Sequence, residues 1–448
     1  MTTQKHLKAR VRARMEKTGE RYAAARAHVV GTRHVSAERA AGPATPVTVN
    51  GIRHFPGSHP ETTALRIVAT HAGVRDGDGN PLSEPLVLAI GGGVGAGVFS
   101  FHYEKEHVST LFLAGRHRWD DSRAFVEHAC ARLGIPVTIS ETGSKAQADR
   151  DLRAALEHGP AIAWVDLAVL HTRALPSGFA GGAYHVVTVY ELDDVRNEAV
   201  IGDLAGQPIR IPLGILADAR ARIRAHRNRV LGLDGTSTSP RGPGNLADAI
   251  RAGLRATVEG LTNPRGRNFS LEAFRDLAQR IHGTAGRDSW SRVFPRGPRL
   301  WNALSSMHEY VDHYGSGGGL MRPLFADGLA EATEFSGDER IAGLVDHYRA
   351  LGRRWHELAE AALPAGVPLL DETGALQDRR DALWAARGPE ALPEIEAIWV
   401  RLSELEAAAA DFPLDAAATD DLLAGLRQRL VDLHTGEAAA LDELRALA

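Results

Sequence analysis

The sequence predicts an α+β protein in which a mixed domain of helices and strands precedes a mainly helical one. From about residue 50 to 232, apolar runs of strand length stand between amphipathic helical patterns. From residue 245 onward, apolar residues recur almost only at helical spacing. The Gly-, Ser- and Pro-rich segment 235–244 separates the two patterns and is typical of a linker.

The composition is that of an ordinary globular protein. Its 448 residues are 44% hydrophobic and 24% charged, and the net charge of −4 carries no whole-chain nucleic-acid signature. No apolar run approaches the roughly 18 residues that span a bilayer, and no signal-peptide core begins the chain. We therefore expect a cytoplasmic protein with neither a membrane nor a nucleic-acid partner. The single cysteine, Cys130, excludes an intrachain disulfide and lies on an apolar helix face, so we expect it to be buried.

We predict five segments along the chain, with the bounds 1–46, 47–234, 235–244, 245–364 and 365–448. The first is a basic, helix-prone arm that ends in a Pro-containing linker, and the last is a helical extension. We interpret the arm as a solvated terminal helix, since charge runs are commonly solvated. An arm that binds RNA, an acidic carrier protein or a membrane surface is the alternative.

The stretch from Gly57 to Leu65 is the centre of the predicted site. A short turn presents polar side chains and leads directly into an apolar helical pattern. Amide groups and the positive end of the helix dipole at such a junction favour an anion or a nucleophile. We expect His59 and Glu61 to orient substrate or exchange protons, and Ser58 and Thr62 to contact substrate.

A second candidate wall of the site is the glycine-rich segment 91–97, which follows the apolar run Ser83–Ile90. Gly-rich turns cradle phosphate when they open a helix, but this one lacks the Lys-Ser/Thr of a P-loop and precedes a strand-like pattern. We prefer a flexible wall beside a ligand cleft, with Gly92 and Gly93 in contact with substrate.

Two strand patterns, 183–190 and 199–203, are separated by a polar turn and predict an antiparallel hairpin. His185 and Asp203 fall near its open end. Because a histidine base needs a carboxylate to fix its tautomer, the two residues suggest a functional pair. Tyr184 is predicted to contact substrate.

The helical half has one conspicuous loop, from Tyr314 to Pro323, with four glycines. Glycines permit close approach of the backbone to a ligand, and the planar guanidinium of Arg322 could bind an anion. We expect Tyr314 and Arg322 to complete the site at a domain junction. A simple turn between helices is the alternative, and the helical half could also dock a carrier protein or form a homodimer interface.

These features together resemble the butirosin biosynthesis protein H family, whose N-terminal domain is similar to papain-like bacteriocin-processing peptidases. Residues 270–363 look like the uncharacterised helical domain that accompanies it. The resemblance implies a papain-like fold for residues 47–234. It rests on the turn 57–65, Ser83-Glu84-Pro85, the glycine segment 91–97, Tyr184 to Val187, Asp193-Asp194 and Asp203 before the helix at Ala219-Arg220.

The resemblance implies transfer of an aminoacyl group from a carrier-protein thioester to an amine of an aminoglycoside. In that pattern a cysteine after His59 is the nucleophile, His185 is the base and acid, and Asp203 orients His185. This chain has Pro60 at the nucleophile position, and proline offers neither a nucleophile nor an amide hydrogen. The expected substrates are a carrier-protein phosphopantetheine thioester and a small-molecule amine or amino-acid-derived acceptor, with no separate cofactor or metal ion.

Three functions remain open for a site of this kind without the cysteine nucleophile. His185 could assist direct attack of an amine on a thioester while helix-terminal donors hold the oxyanion, which is the interpretation that we prefer. Ser58 or Thr62 could replace the nucleophile, although an alcohol is harder to activate than a thiol. Alternatively, the cleft could bind a ligand, a metal ion or a carrier protein without acyl transfer.

Overall fold

The structure is a computed structural model that describes residues 47–103, 108–235, 243–283 and 286–447. Strands occur in its first half, as predicted. They are β1 Thr48–Val49, β2 Ile52–Arg53, β3 Val94–Tyr103, β4 Val108–Arg116, β5 Val137–Ser140, β6 Ala161–Asp166, β7 Tyr184–Asp193, β8 Glu198–Gly202, β9 Ile209–Pro212 and β10 Val230–Leu233. An antiparallel six-stranded sheet has the order β5-β10-β6-β7-β8-β9, and β1-β2 and β3-β4 form two further hairpins.

Helices surround this sheet and make up nearly all of the second half. They are α1 Pro60–His71, α2 Glu84–Gly91, α3 Ser122–Leu133, α4 Lys145–Leu156, α5 Leu167–Leu170, α6 Leu213–Arg222, α7 Pro243–Thr262, α8 Glu272–Ile281, α9 Trp290–Val293, α10 Pro298–His308, α11 Arg322–Ser336, α12 Arg340–Ala362, α13 Pro368–Arg387, α14 Leu392–Ala408 and α15 Ala416–Arg445. The architecture is therefore α+β. In the part of the chain that the structure describes, no helix is both long and apolar enough to cross a membrane.

Helix α1 begins where the sequence predicts a polar turn to become a helix. His59 is its N-cap, and the ring accepts a hydrogen bond from the Thr62 amide. Pro60 occupies the first turn, where its missing N–H costs no intrahelical bond. The helix is buried along most of its length and packs against β7. This packing brings the 57–63 turn to the sheet that carries His185.

The apolar run before the glycine segment forms helix α2, with Ser83 as its N-cap and Gly92 in the left-handed region (φ 116°) at its end. The prediction of a flexible wall beside a cleft is wrong, because the glycine segment is buried throughout. A Cβ atom on Gly92 would lie 2.5 Å from the His117 ring, and one on Gly93 would lie 2.3 Å from the Phe325 ring. These two glycines permit close packing and do not line a substrate cleft.

The predicted hairpin is confirmed as β7 and β8. His185 lies on β7 opposite Val165 of β6, and Asp203 directly follows β8. The register shifts between Val189 and Glu191, which marks a bulge within the hairpin. The sheet therefore presents His185 and Asp203 from neighbouring strands.

The chain from Thr48 onward forms one compact unit. One hydrophobic core joins residues on both sides of the predicted boundaries at 234 and 364, from Leu65 to Leu444. The segment 236–242, which is most of the predicted linker, and the predicted arm 1–46 lie outside the described residues. The two halves therefore share a hydrophobic core.

Cys130 lies on α3 and is fully buried in this core, as predicted. Burial raises the pKa of its thiol to about 12. A thiol that stays protonated at neutral pH is a poor nucleophile. Cys130 therefore does not replace the nucleophile that the resemblance implies at position 60.

Candidate active site

The turn before α1 is held by the buried carboxylate of Glu84. Its oxygens accept hydrogen bonds from the Ser58 amide (2.9 and 3.1 Å) and the His59 amide (2.8 Å). They also accept from the hydroxyls of Thr62 (2.8 Å) and Thr63 (3.1 Å). Burial raises the pKa of Glu84, whereas these donors favour its ionised form. The turn is thus fixed by an acceptor at the start of α2.

His59 lies in this turn with both ring nitrogens engaged. Nδ1 accepts from the Thr62 amide at 3.4 Å, so the proton is on Nε2, 3.2 Å from Glu61 Oε2. Burial lowers the pKa of His59 to about 3, although Glu61 opposes that shift. Burial alone would raise the pKa of Glu61. The positive charge of Arg116, which lies 3.1 Å away, and the neighbouring His59 lower this pKa to about 2. These contacts argue for structural roles and against the predicted proton exchange by His59 and Glu61.

His185 and Asp203 lie in direct contact. The distance from His185 Nε2 to Asp203 Oδ1 is 2.9 Å, and both side chains are buried. Arg173 binds the same carboxylate with two nitrogens, at 2.9 and 3.2 Å. Burial would raise the pKa of Asp203, but Arg173 and His185 lower it well below its ordinary value. His185 Nδ1 has no partner among the described residues, which leaves it as the nitrogen that can exchange a proton with a substrate.

The glycine loop of the helical half lies over the turn. A Cβ on Gly315 would be 4.0 Å from Pro60 Cδ, and one on Gly317 would be 3.4 Å from Ser58 Cβ. Both glycines are in the left-handed region, with φ of 59° and 62°, which other residues rarely adopt. Segment 314–318 therefore covers Pro60, the position at which the resemblance implies a nucleophile.

Tyr314 connects this loop to the sheet, since its hydroxyl donates to the Tyr184 carbonyl at 2.9 Å. The Tyr184 side chain is 52% exposed and its ring centroid lies 5.5 Å from that of His226. Because successive residues of a strand face opposite sides, Tyr184 and His185 point away from each other. Only the backbone of Tyr184 belongs to the site, so its predicted contact with substrate is not supported.

Arg322 does not bind an external anion. It is fully buried, and its Nε lies 2.7 Å from Glu437 Oε1. Its other nitrogens donate to the carbonyls of Gly95, Gly115 and Leu320. The predicted role is wrong because a glutamate near the end of the chain already neutralises this guanidinium.

The loop connects the turn to the hairpin. A Cβ on Gly315 would lie 3.9 Å from the His59 ring, and the hydroxyl of the preceding Tyr314 contacts the backbone of Tyr184, next to His185. Burial raises the pKa of Tyr314; Glu61 adds to that shift and Arg173 opposes it. The structure therefore gathers His59, Glu61, His185 and Tyr314 into one cluster.

The predicted oxyanion donors at the start of α1 are already engaged. The Glu84 carboxylate accepts hydrogen bonds from the amides of Ser58 and His59, and the Thr62 amide donates to His59 Nδ1. Pro60 has no N–H, and the backbone amide of Glu61 is among the groups that lower the pKa of its own carboxyl. In this conformation the turn offers no free amide to a developing negative charge.

Three residues that hold the site were not predicted: Glu84, Arg116 and Arg173. Glu84 stands in the Ser-Glu-Pro motif, which is a sequence signal without an evident role. The two arginines sit in no motif of their own. Their roles depend on carboxylates that lie 55 and 30 residues away.

An α+β fold that presents the N-terminus of a buried helix beside a His-Asp pair on an antiparallel sheet defines a papain-like class of protein. Comparison with models of protein families assigns two segments of the chain. Residues 59–204 match the N-terminal domain of butirosin biosynthesis protein H, and residues 216–395 match a domain of unknown function (DUF4872). The chain therefore belongs to the butirosin biosynthesis protein H-like family. A comparison with curated proteins finds no match.

Proposed function

We propose that the protein transfers an acyl group from a thioester to an amine without a covalent enzyme intermediate, with His185 as the base. The amine nitrogen attacks the thioester carbonyl, a C–N bond forms and the C–S bond breaks. The nitrogen gives its proton to His185 Nδ1, and the departing thiolate takes that proton from the imidazolium. A positioned base of this kind accelerates a reaction by about 10² to 10⁴.

The observation that carries this proposal is the contact of 2.9 Å between His185 Nε2 and Asp203, with Nδ1 left without a described partner. An ionised Asp203 fixes the tautomer that has its lone pair on Nδ1. The Thr62 hydroxyl is fully buried and donates to Glu84, which argues against Thr62 as a nucleophile. Ser58 is partly exposed and stays the alternative nucleophile in the turn.

The test is a single-turnover assay with aminoacyl N-acetylcysteamine thioesters and an aminoglycoside acceptor. We expect His185→Asn to lower the rate about 10² to 10⁴-fold. Ser58→Ala and the exposed control His158→Asn should keep the wild-type rate. A wild-type rate in His185→Asn would contradict the proposal.

Intact-protein mass spectrometry tests the non-covalent route. The wild type should gain no acyl adduct during turnover. Pro60→Cys restores a thiol at the N-terminus of α1 and should gain one. An adduct on the wild type that disappears in Ser58→Ala would establish a serine intermediate instead.

One observation favours a second candidate, a cleft that binds its ligand without catalysis. The amides at the start of α1 are engaged, so an oxyanion would find no free donor there. In that case the thioester would bind with measurable affinity and remain intact after long incubation with an amine. Calorimetry followed by product analysis separates the two candidates.

A further inference from the structure

A second cluster of ionisable groups lies in the helical half, directly before Tyr314 in the chain, and shares no residue with the proposed active site. It consists of His308 at the end of α10, His313 at the end of the π-helical turn Glu309–His313, and Asp378 on α13. One ligand atom from each of the three side chains lies within 4.8 Å of the other two. We infer that His308, His313 and Asp378 form a binding site for a divalent transition-metal ion of the zinc type.

The π-helical turn brings the two histidines together. In an α-helix, residues five apart point about 140° away from each other. Here the Tyr314 amide donates to the Glu309 carbonyl, a bond that closes over five residues and widens the helix. The imidazole centroids of His308 and His313 are consequently only 5.0 Å apart. Such π-helical turns occur frequently at functional sites.

Both histidines are oriented as metal ligands are. His308 Nδ1 donates to Gln377 Oε1 at 2.9 Å, and His313 Nδ1 donates to Asp381 Oδ2 at 3.0 Å. Gln377 uses its own amide nitrogen on Ser305, which fixes the oxygen towards His308. With the protons on Nδ1, the Nε2 atoms of both rings have their lone pairs free.

The distances suit a small ion. Asp378 Oδ1 lies 3.3 Å from His313 Nε2 and 3.8 Å from His308 Nε2. A tetrahedral zinc ion with bonds of 2.0–2.2 Å keeps its ligands about 3.4 Å apart. Among the described residues, the buried Nε2 atom of His313 finds no well-aligned hydrogen-bond partner, although Asp378 Oδ1 lies 3.3 Å away. A buried nitrogen without a well-aligned hydrogen bond, facing a carboxylate, is the feature that most directly indicates an ion.

Two imidazoles and one carboxylate are a common ligand set for zinc, and a fourth position remains for water or a ligand. The His308 and His313 side chains are 7% and 10% exposed, whereas Asp378 is 54% exposed. An ion could thus enter from the Asp378 side. Sequence reasoning missed this site because a spacing of five matches no α-helical ligand motif.

The test uses the full-length chain without a histidine tag, stripped with a chelator and titrated with Zn²⁺. We expect one ion per chain. Asp381→Asn removes only an outer partner and should weaken binding about 10- to 100-fold, whereas His313→Asn and Asp378→Asn remove ligands and should weaken it more. The control His282→Asn alters a histidine paired only with Asp420 and should bind as the wild type does.

Cobalt substitution supplies an independent readout, since Co²⁺ in this ligand set gives visible absorption that Asp378→Asn should remove. Asp378 is half-exposed, so this variant tests the site even if His313→Asn fails to fold. No binding at micromolar Zn²⁺ would overturn the inference, as would unchanged binding in Asp378→Asn. In either case His313 would be an imidazolium paired with two carboxylates.

Discussion

Acidification should destabilise the protein through His59. Burial holds the pKa of this side chain at about 3, against an ordinary value of 6.5. As the pH falls through 6.5, the unfolded chain takes up a proton that folded His59 does not take up until about pH 3. The contribution of His59 to stability is therefore complete above pH 6.5 and is lost progressively below it. Between pH 7.5 and 5 the loss amounts to about 2 kcal/mol.

The variant His59→Asn isolates this effect. Asparagine is a good N-cap that can still accept from the Thr62 amide, but it does not titrate. We expect the decrease in the free energy of unfolding between pH 7.5 and 5 to be about 2 kcal/mol smaller in His59→Asn than in the wild type. Urea unfolding at both pH values measures it, with the exposed His158→Asn as the control. An equal decrease in wild type and His59→Asn would refute the reasoning.

Two further substitutions test the contacts that hold the site. Glu84→Ala leaves the amides of Ser58 and His59 buried without acceptors. Each unsatisfied amide costs about 1–3 kcal/mol, so urea unfolding should show a free energy of unfolding that is lower by about 2–6 kcal/mol. Glu84→Gln keeps one acceptor oxygen and should lose less; equal losses would contradict the assigned bonds. Arg322→Met leaves the buried carboxylate of Glu437 with the Trp355 Nε1 donor but without its charged partner, and should cost about 3–5 kcal/mol in the same assay. A cost no greater than that of a surface arginine substitution would show that Arg322 is dispensable.

Local patterns predicted the elements that carry the site. The polar turn followed by helical apolar spacing predicted a helix directly after the turn, and α1 spans Pro60–His71. Alternation and a polar turn predicted the β7-β8 hairpin that brings His185 to Asp203. These predictions hold because capping, alternation and turn chemistry act between residues that are close in sequence.

Predictions that required knowledge of a distant partner were wrong. Arg322 lies in a glycine-rich loop, where a solvent-exposed anion site is a reasonable expectation. Its charge is instead neutralised by Glu437, 115 residues later, in the interior. Gly92 and Gly93 were expected beside a cleft, but they lie where α2 and β3 pack against other elements. No local pattern reports which side chain fills the space beside a glycine.

The sequence alone determined that position 60 has no nucleophile and no amide hydrogen, since that follows from proline itself. It also determined the helix that follows, the strand that carries His185 and the strand that ends just before Asp203. Only the tertiary structure decided which polar atoms remain free. Both nitrogens of His59 are engaged, whereas Nδ1 of His185 has no described partner. The physical reason is that each hydrogen bond uses a donor and an acceptor that folding brings together, and only the free atoms can act on a substrate.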